Sequence, residues 1–306
     1  MGTFLARRLI FSAFVLLGVS VIVFGLLRLS GDPTALMLPI DATEEDEIVL
    51  RRALGLDEPL PVQYLTFLSR AVVGDFGTSI RHRQPALQMV AERIPATLEL
   101  AALSFVVALL IALPLGIFSA LYPNSFIDRL SVLMALVGQA VPTFLLGIIL
   151  ILVVSVQLQL LPAFGRGGIE NLILPALTLG TYSAAFINRL LRSSILEVLD
   201  TDFIRTARAK GFANRYIVIR HALKNAAIPV ITVMGLQVSA LLSGSVVTET
   251  VFAYPGAGLL LVQALGNRDF PVVQAFVMVI AVLVIIINLV VDVIYGLVDP
   301  RVQITG

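Results

Sequence analysis

"DFIRTARAKGFANRYIVIRHALKN", residues Asp202 to Asn225, is a polar island in an apolar chain. Arg205, Arg208, Lys210, Arg215, Arg220 and Lys224 give it six of the 21 Lys and Arg residues, and charge-free runs border it at Asn171–Asn188 and Asn225–Thr248. A helix that crosses a bilayer needs about 20 mostly apolar residues, because charge at the membrane centre is costly. Both flanks meet that length, so the island reads as a loop between two spans.

The same search along the whole chain gives six runs: Leu9–Leu27, Leu100–Ile127, Leu130–Gly165, Asn171–Asn188, Asn225–Thr248 and Phe270–Val291. The second and third exceed one span and are trimmed to about Leu100–Leu121 and Leu130–Ser155. Of the 306 residues 58% are hydrophobic and 13% charged, against about 25% charged in an ordinary soluble domain; mean hydropathy is +0.99. The reading is an all-α membrane protein with six transmembrane helices. Arg7 and Arg8 precede the first run as in a signal peptide, but that run is too long for a signal core and no small-residue cleavage site follows, so it is expected to be retained.

Basic residues in short loops fix orientation. Arg166 and Arg268 stand alone in their connections, whereas Arg7, Arg8, Arg129 and the Asp202–Asn225 segment collect on the opposite side, which places both termini in the cytoplasm. This organises the chain as a first helix within 1–30, an external (periplasmic) cap over 31–94 and a five-helix core over 95–306 with a cytoplasmic loop at about 192–228. In the cap, "DATEEDE" followed by "LGLDEPLPVQYLTFLSRAVVGDFG" reads as an acidic helix start, a proline-rich turn and an amphipathic helix.

Several functions are excluded or disfavoured. Net charge is +1, giving no electrostatic footprint for nucleic acid. There is no cysteine, and the two histidines, His82 and His221, are far apart, so neither a thiolate metal site nor a helical zinc pair is available. An intramembrane enzyme lacks a Ser/His, paired-Asp or His-metal constellation within the spans. A secondary transporter or channel would often carry inverted repeats or buried titratable chains, and neither is evident.

Within the island, Thr201 or Asp202 is placed to cap a short helix through Lys210, Gly211 suits the left-handed residue that ends it, and Asn214 is placed to cap a second helix running toward Pro229. Thr206, Ala207 and Ala209 are small enough for close approach by another protein, Phe203 and Ile204 are apolar anchors, and Arg205, Arg208 and Lys210 offer donors to acidic groups. Charge alone favours positive-inside retention together with contact with anionic lipid headgroups over a docking role. Small residues at the centre are not what lipid contact requires.

"RTARAKG" followed by "RHALKNAAIPV" resembles the cytoplasmic loop of ABC-importer permeases, in the variant typical of dipeptide, oligopeptide, glutathione and nickel importers. Aligned on Gly211, Arg205 stands at the Glu place of the general pattern, Thr206 and Ala207 at its two Ala places, His221 at Ile, Leu223 at Leu and Lys224 at Pro. "LSGDP", "LGLDEPLPVQY", "GDFGTS", "ILPALTLG", "ETVFAYPGAG" and "NLVVDVIYGLVDPR" resemble the same family in the same order, so the likeness spans nearly the whole chain. It implies a type I ABC importer permease fold in a bacterial inner membrane. It also implies a second homologous permease, two cytoplasmic ATPase subunits and an external substrate-binding protein. No G-x-x-x-x-G-K-[ST] loop occurs, so no cofactor is expected in this chain, and ATP and Mg2+ belong to the ATPase partners. Phe203, Arg205, Thr206, Ala207, Arg208, Ala209, Lys210 and Gly211 would then form the element that couples to an ATPase.

Polar residues inside spans are candidates for the substrate route. Gln139 before Pro142 either faces substrate or serves backbone freed by the proline, and Gln237, Ser245 and Glu249 are placed along the fifth span. Gly235, Ser239 and Ser243 recur every four residues and read as a packing stripe. Asn288 and Asp292 read as a structural pair with a basic loop residue, and Glu99 as a carboxylate at a helix start. Tyr254, Pro255, Gly256 and Gly258 form a turn-rich outer loop that by resemblance meets the binding protein or dips toward the pathway. The carried substrate stays open among peptides, glutathione and nickel complexes. Ala207→Asp and Gly211→Val are expected to leave membrane insertion intact and to abolish substrate-stimulated ATP hydrolysis in the assembled complex.

Overall fold

The computed structural model describes residues 2–29, 43–53 and 55–298. Most of "LSGDP", the first two residues of "DATEEDE", Leu54 and the last residues of "NLVVDVIYGLVDPR" lie outside the described residues, as does the C-terminus. Among the described residues no strand forms, and an isolated antiparallel bridge joins Thr78 to Pro85. Two compact units emerge: one of the described residues up to Pro95 with Gly256–Ile285, the other of Ala96–Pro255 with the described residues from Ile286.

The first unit holds α1 (Gly2–Leu29), α2 (Glu44–Ala53), α3 (Leu60–Val72), the start of α4 (Ala86–Leu121), α11 (Ala257–Gly266) and the first part of α12 (Phe270–Val298). Thr43 and Asp46 cap α2 reciprocally: the Thr43 amide donates to Asp46 Oδ2 at 2.9 Å and the Asp46 amide to Thr43 Oγ1 at 3.3 Å. The Thr43 amide, and after it the Thr43 hydroxyl, which donates to the same oxygen at 2.8 Å, hold the Asp46 carboxyl below the usual carboxylate range. Pro59 precedes α3 and Pro61 lies in its first turn, where a missing N–H costs nothing. α3 lies against α1 through Ser20 and Tyr64, whose hydroxyls are 2.8 Å apart, and through Phe24, edge-on to Tyr64 at 5.5 Å and stacked on Phe67 at 5.9 Å.

The loop after α3 is stapled to the turn between α11 and α12. Asp269, 2% exposed, accepts from the Ser79 hydroxyl and from the Ile80 amide at 3.1 Å, while Arg81 Nη1 donates to Asn267 Oδ1 at 2.6 Å. A carboxylate at the start of α12 also opposes that helix's positive end.

The second unit packs the rest of α4 with α5 (Phe126–Ala140), α6 (Thr143–Leu150), α7 (Ile169–Leu199), α8 (Asp202–Ala209), α9 (Asn214–Ile217) and α10 (Leu223–Val251). Two π-helical stretches interrupt these, Ile151–Gln157 after α6 and Val218–Ala222 between α9 and α10. α7 is the most enclosed helix, with Thr178, Gly180, Ser183 and Asn188 buried beside Leu174, Ile187 and Leu191. Small residues let neighbours approach: a Cβ on Gly180 would lie 2.6 Å from the Ser104 carbonyl oxygen on α4. A Cβ on Gly235 would meet the Val291 side chain, and the Ser239 hydroxyl donates to Asn288 Oδ1 at 3.1 Å, so Gly235 and Ser239 pack as expected of that stripe, whereas Ser243 is exposed. Asn288 therefore partners a hydroxyl on α10 instead of a basic loop residue.

Four described helices are long and apolar enough to cross a membrane: Ala6–Leu26, Ala86–Leu121, Pro229–Val251 and Phe270–Val293. Phe126–Ala140 and Thr143–Gln157 together make a fifth that is bent by 106°. Pro142 stands at this break, as the residue that precedes α6. The fourth expected run, Asn171–Asn188, lies within α7, whose 31 residues are long enough but too rich in small and polar side chains to qualify. Its apolar requirement is relaxed because protein, in place of lipid, covers it.

Replacing Gly180 by Val should destabilise the second unit by about 1–3 kcal/mol through overpacking against backbone that cannot yield. Gly266→Ala, where nothing lies within 4 Å, should leave the melting temperature in detergent unchanged or slightly raised; equal melting of the two variants would contradict the close approach.

Candidate functional site

α8 is an eight-residue helix set between two turns. Thr201 stands at its N-cap, yet the Thr201 hydroxyl donates back to the Val198 carbonyl at 2.6 Å and makes no capping bond. Lys210 is the capping residue at the other end, one position beyond the last helical residue, and Ala213, not Asn214, is the N-cap of α9. Gly211 adopts φ +82, the left-handed conformation expected of it. The Gly211 amide donates to the Arg208 carbonyl at 2.9 Å and the Phe212 amide to the Ala207 carbonyl at 3.4 Å, which closes the helix in a Schellman turn.

The helix has two faces. Ile204 is fully buried and Ala207 nearly so, packed into a core that includes Ile195, Leu199, Ile217 and Val218. Ala207 was expected on the exposed small-residue centre; the 3.6-residue period puts it on Ile204's side and turns it inward. Phe203, Arg205, Thr206, Arg208, Ala209, Lys210 and Gly211 are exposed. The Arg205–Asp202 pair at 3.1 Å is almost wholly in water and contributes little. Phe212 and Tyr216 stack at 5.1 Å just past the turn, with His221 edge-on to Tyr216 at 5.7 Å.

α7 carries Arg192 toward the same end. Its Nε and Nη2 donate to Asp128 Oδ1 and Oδ2 at 2.6 and 2.9 Å, and Nε also reaches Ser119 Oγ at 2.9 Å. Asp128 is further held by the Ser119 hydroxyl and by the Asn124 amide at 2.8 Å. Three helices, α4, α5 and α7, are thereby fastened at one point. Sequence reading missed this pair, since Arg192 reads as loop charge and Asp128 as an ordinary helix-start acid; their positions just beside span ends were the only available hint.

At the break between α5 and α6 lies a cavity of about 400 Å3 bordered by Gln139, Pro142, Thr143, Tyr182, Ser183 and Leu241. Gln139 Nε2 is buried and donates to nothing among the described residues. An amide serving the carbonyl freed by a proline would be bonded to it, so of the two expected roles this nitrogen does not perform the backbone one. Gln237 is 7% exposed and Ser245 donates to the Leu242 carbonyl at 2.9 Å. Glu249 is fully buried and accepts from Thr97 Oγ1 on α4 at 2.7 Å.

Glu99 lies well inside α4, which begins at Ala86, so it is no helix-start carboxylate. It pairs with Arg166 Nη2 at 2.6 Å and accepts from the Tyr254 hydroxyl at 3.3 Å. Tyr254 is fully buried, and burial, seconded by the Glu99 charge, pushes its phenol up to about 12, keeping it a neutral donor. Gly256 and Gly258 are buried too and Pro255 partly so.

Residues 112–304 match the family described as binding-protein-dependent transport system inner membrane component, and residues 1–101 match the N-terminal region of such membrane components. The oligopeptide transport system permease protein AppB of Bacillus subtilis (strain 168) is 40% identical over 318 residues, taking in 99% of this chain and 100% of that protein. The glutathione transport system permease protein GsiC of Escherichia coli (strain K12) is 42% identical over 304 residues, 99% of each. Among solved structures, a chain of the inward-facing MetNI methionine ABC transporter gives a TM-score of 0.58 at 21% identity, over 69% of this chain and 97% of that one. A chain of an amino acid ABC transporter with histidines gives 0.53 at 16% identity, over 70% and 94%.

Arg192→Gln should cost about 3–5 kcal/mol by stranding the buried Asp128 carboxylate, and Asp128→Asn, which leaves the partly exposed Arg192, should cost less. The double change Asp128→Leu with Arg192→Met should cost clearly less than the sum of the single changes, read as melting temperatures of the purified chain.

Proposed function

The chain belongs to the family of binding-protein-dependent inner membrane transport components, its fold is that of type I ABC importer permeases, and on that premise we propose how it works. It is the permease subunit of an ATP-driven importer of short peptides or glutathione in a bacterial inner membrane. It forms half of the translocation pathway beside a second, homologous permease. Two cytoplasmic ATPase subunits carry the ATP and Mg2+, and an external binding protein delivers the substrate. The full-length likeness to an oligopeptide permease and a glutathione permease at 40–42% identity carries the substrate class.

The mechanics follow from the two faces of α8. Phe203, Thr206 and Lys210 fall three and four residues apart, on the outward side of a helix. They are suited to a groove in an ATPase, with Arg205 and Arg208 as donors to its acidic groups. Ile204 and Ala207 tie the inward side to the packed ends of α7, α9 and α10. A push on α8 therefore moves those helices together, because close-packed interiors are stiff. The Arg192–Asp128 contact passes the displacement to α5. Closure of the ATPases would drive the pathway outward-open, and hydrolysis would reset it. Along the route, Gln139 Nε2 is the donor offered to a passing carbonyl or carboxylate, and Gln237, Ser245 and Glu249 stabilise the helices that line it.

Phe203→Glu and Thr206→Glu test this in the reconstituted complex. Both should leave membrane insertion and melting temperature unchanged while abolishing substrate-stimulated ATP hydrolysis; normal stimulation in both would refute the coupling role. Ala207→Asp should instead lower the melting temperature, since it buries a charge in the α8 core.

A further inference from the structure

The first unit contains a cavity of about 430 Å3 that the coupling and pathway readings do not use. The end of α1, the turn before α3, α3 itself, the loop after it and the first turns of α12 enclose it. Phe24, Phe67, Phe76 and Phe270 supply ring walls. Arg28 and Arg70 bring positive charge to it, Glu58 and Asp75 negative charge. Asp75 already accepts from the Gly77 amide at 2.9 Å, which leaves Glu58, exposed on its turn, as the better acceptor for a ligand.

Gln63 is the most informative residue. Its Nε2 donates to the carbonyls of Leu56 and Glu58 at 3.0 and 2.6 Å, which fixes the plane of the amide. The other end, Oε1, is buried and accepts no hydrogen bond among the described residues. A buried acceptor left unpaired is costly, and an N–H from a bound molecule would satisfy it.

We propose that this cavity binds a short free peptide of two or three residues with an apolar side chain, a reading that deepens the proposed function and rests on it. The volume falls in the range of small-molecule sites, about 300–1,000 Å3. The charges match a zwitterion: the guanidinium of Arg70 takes the terminal carboxylate and Glu58 the terminal ammonium. Gln63 Oε1 receives the peptide N–H, and the phenylalanine rings hold the apolar side chain. The segment lies on the side that the basic-residue pattern assigns to the exterior, so the site would take up peptide before or after its passage through the membrane.

Calorimetric titration of the assembled complex in nanodiscs, with the binding protein omitted, tests this using Phe-Leu, N-acetyl-Phe-Leu and Phe-Leu amide. Phe-Leu should bind, and each cap should weaken it about tenfold. Arg70→Gln should weaken Phe-Leu and leave the amide unchanged; Glu58→Gln should weaken Phe-Leu and leave the acetylated peptide unchanged. Should Arg70→Gln fail to fold, the exposed Glu58→Gln still decides. No binding of Phe-Leu, equal affinity for the capped peptides, uniform weakening of all three by either variant, or an affinity that tracks the phosphatidylethanolamine content of the disc would each overturn the site. Uptake of labelled Phe-Leu with the binding protein present separates the two readings. Uptake without binding at this cavity sinks only the new site, whereas absence of any peptide uptake removes the substrate class itself.

Discussion

Arg192 grips Asp128 through two guanidinium nitrogens inside the helix bundle, and the second unit is arranged around that contact. Two charges taken out of water are tolerated only when they meet in good geometry with their remaining hydrogen-bonding capacity filled. Ser119 and the Asn124 amide fill it, and both are available because α4 ends and α5 begins there. The demand for local satisfaction thus becomes a long-range fastening of three helices. From Arg192 onward, α7 runs through Ile195 and Leu199 into the core that seats α8. A load on that short helix consequently meets a braced structure, which a chain of transport steps driven from outside requires.

Legibility in the sequence followed the range of the interaction. Gly211 was identifiable because a left-handed position has a local signature, and the spans because apolar runs have a length. Of the six expected runs, Asn171–Asn188 within α7 is the one that length and apolarity together do not single out, because the helix is rich in small and polar side chains and much of it is covered by protein. Ala207 was placed on the wrong side because "small" was read without the helical period; Ile204, one turn earlier, carries the phase that corrects it. The contacts of Arg192 with Asp128 and of Glu99 with Arg166 and Tyr254 join residues far apart in the chain. No local pattern marks such partners.

The break at Pro142 was half legible. A proline inside an apolar run predicts a disturbance, but the angle depends on what the surroundings permit. With the α7 face and α10 accepting the second segment, the disturbance becomes a corner of 106° beside a cavity. Irregular backbone at membrane depth is tolerated where protein or a water-filled cavity covers it. Gln139, with an unspent donor at that corner, is what a route for polar cargo would need, and it is costly anywhere else.

The π-helical stretch Val218–Ala222 lies between the aromatic cluster at Phe212 and Tyr216 and the long helix α10. Such a stretch is the trace of an added residue, and one residue in an α-helix is worth about 100° of rotation. Its presence offsets the angular phase of the Phe212–Ile217 segment from that of α10. The aromatic cluster at Phe212 and Tyr216 is thereby turned about the helix axis relative to where an uninterrupted α-helix would carry it.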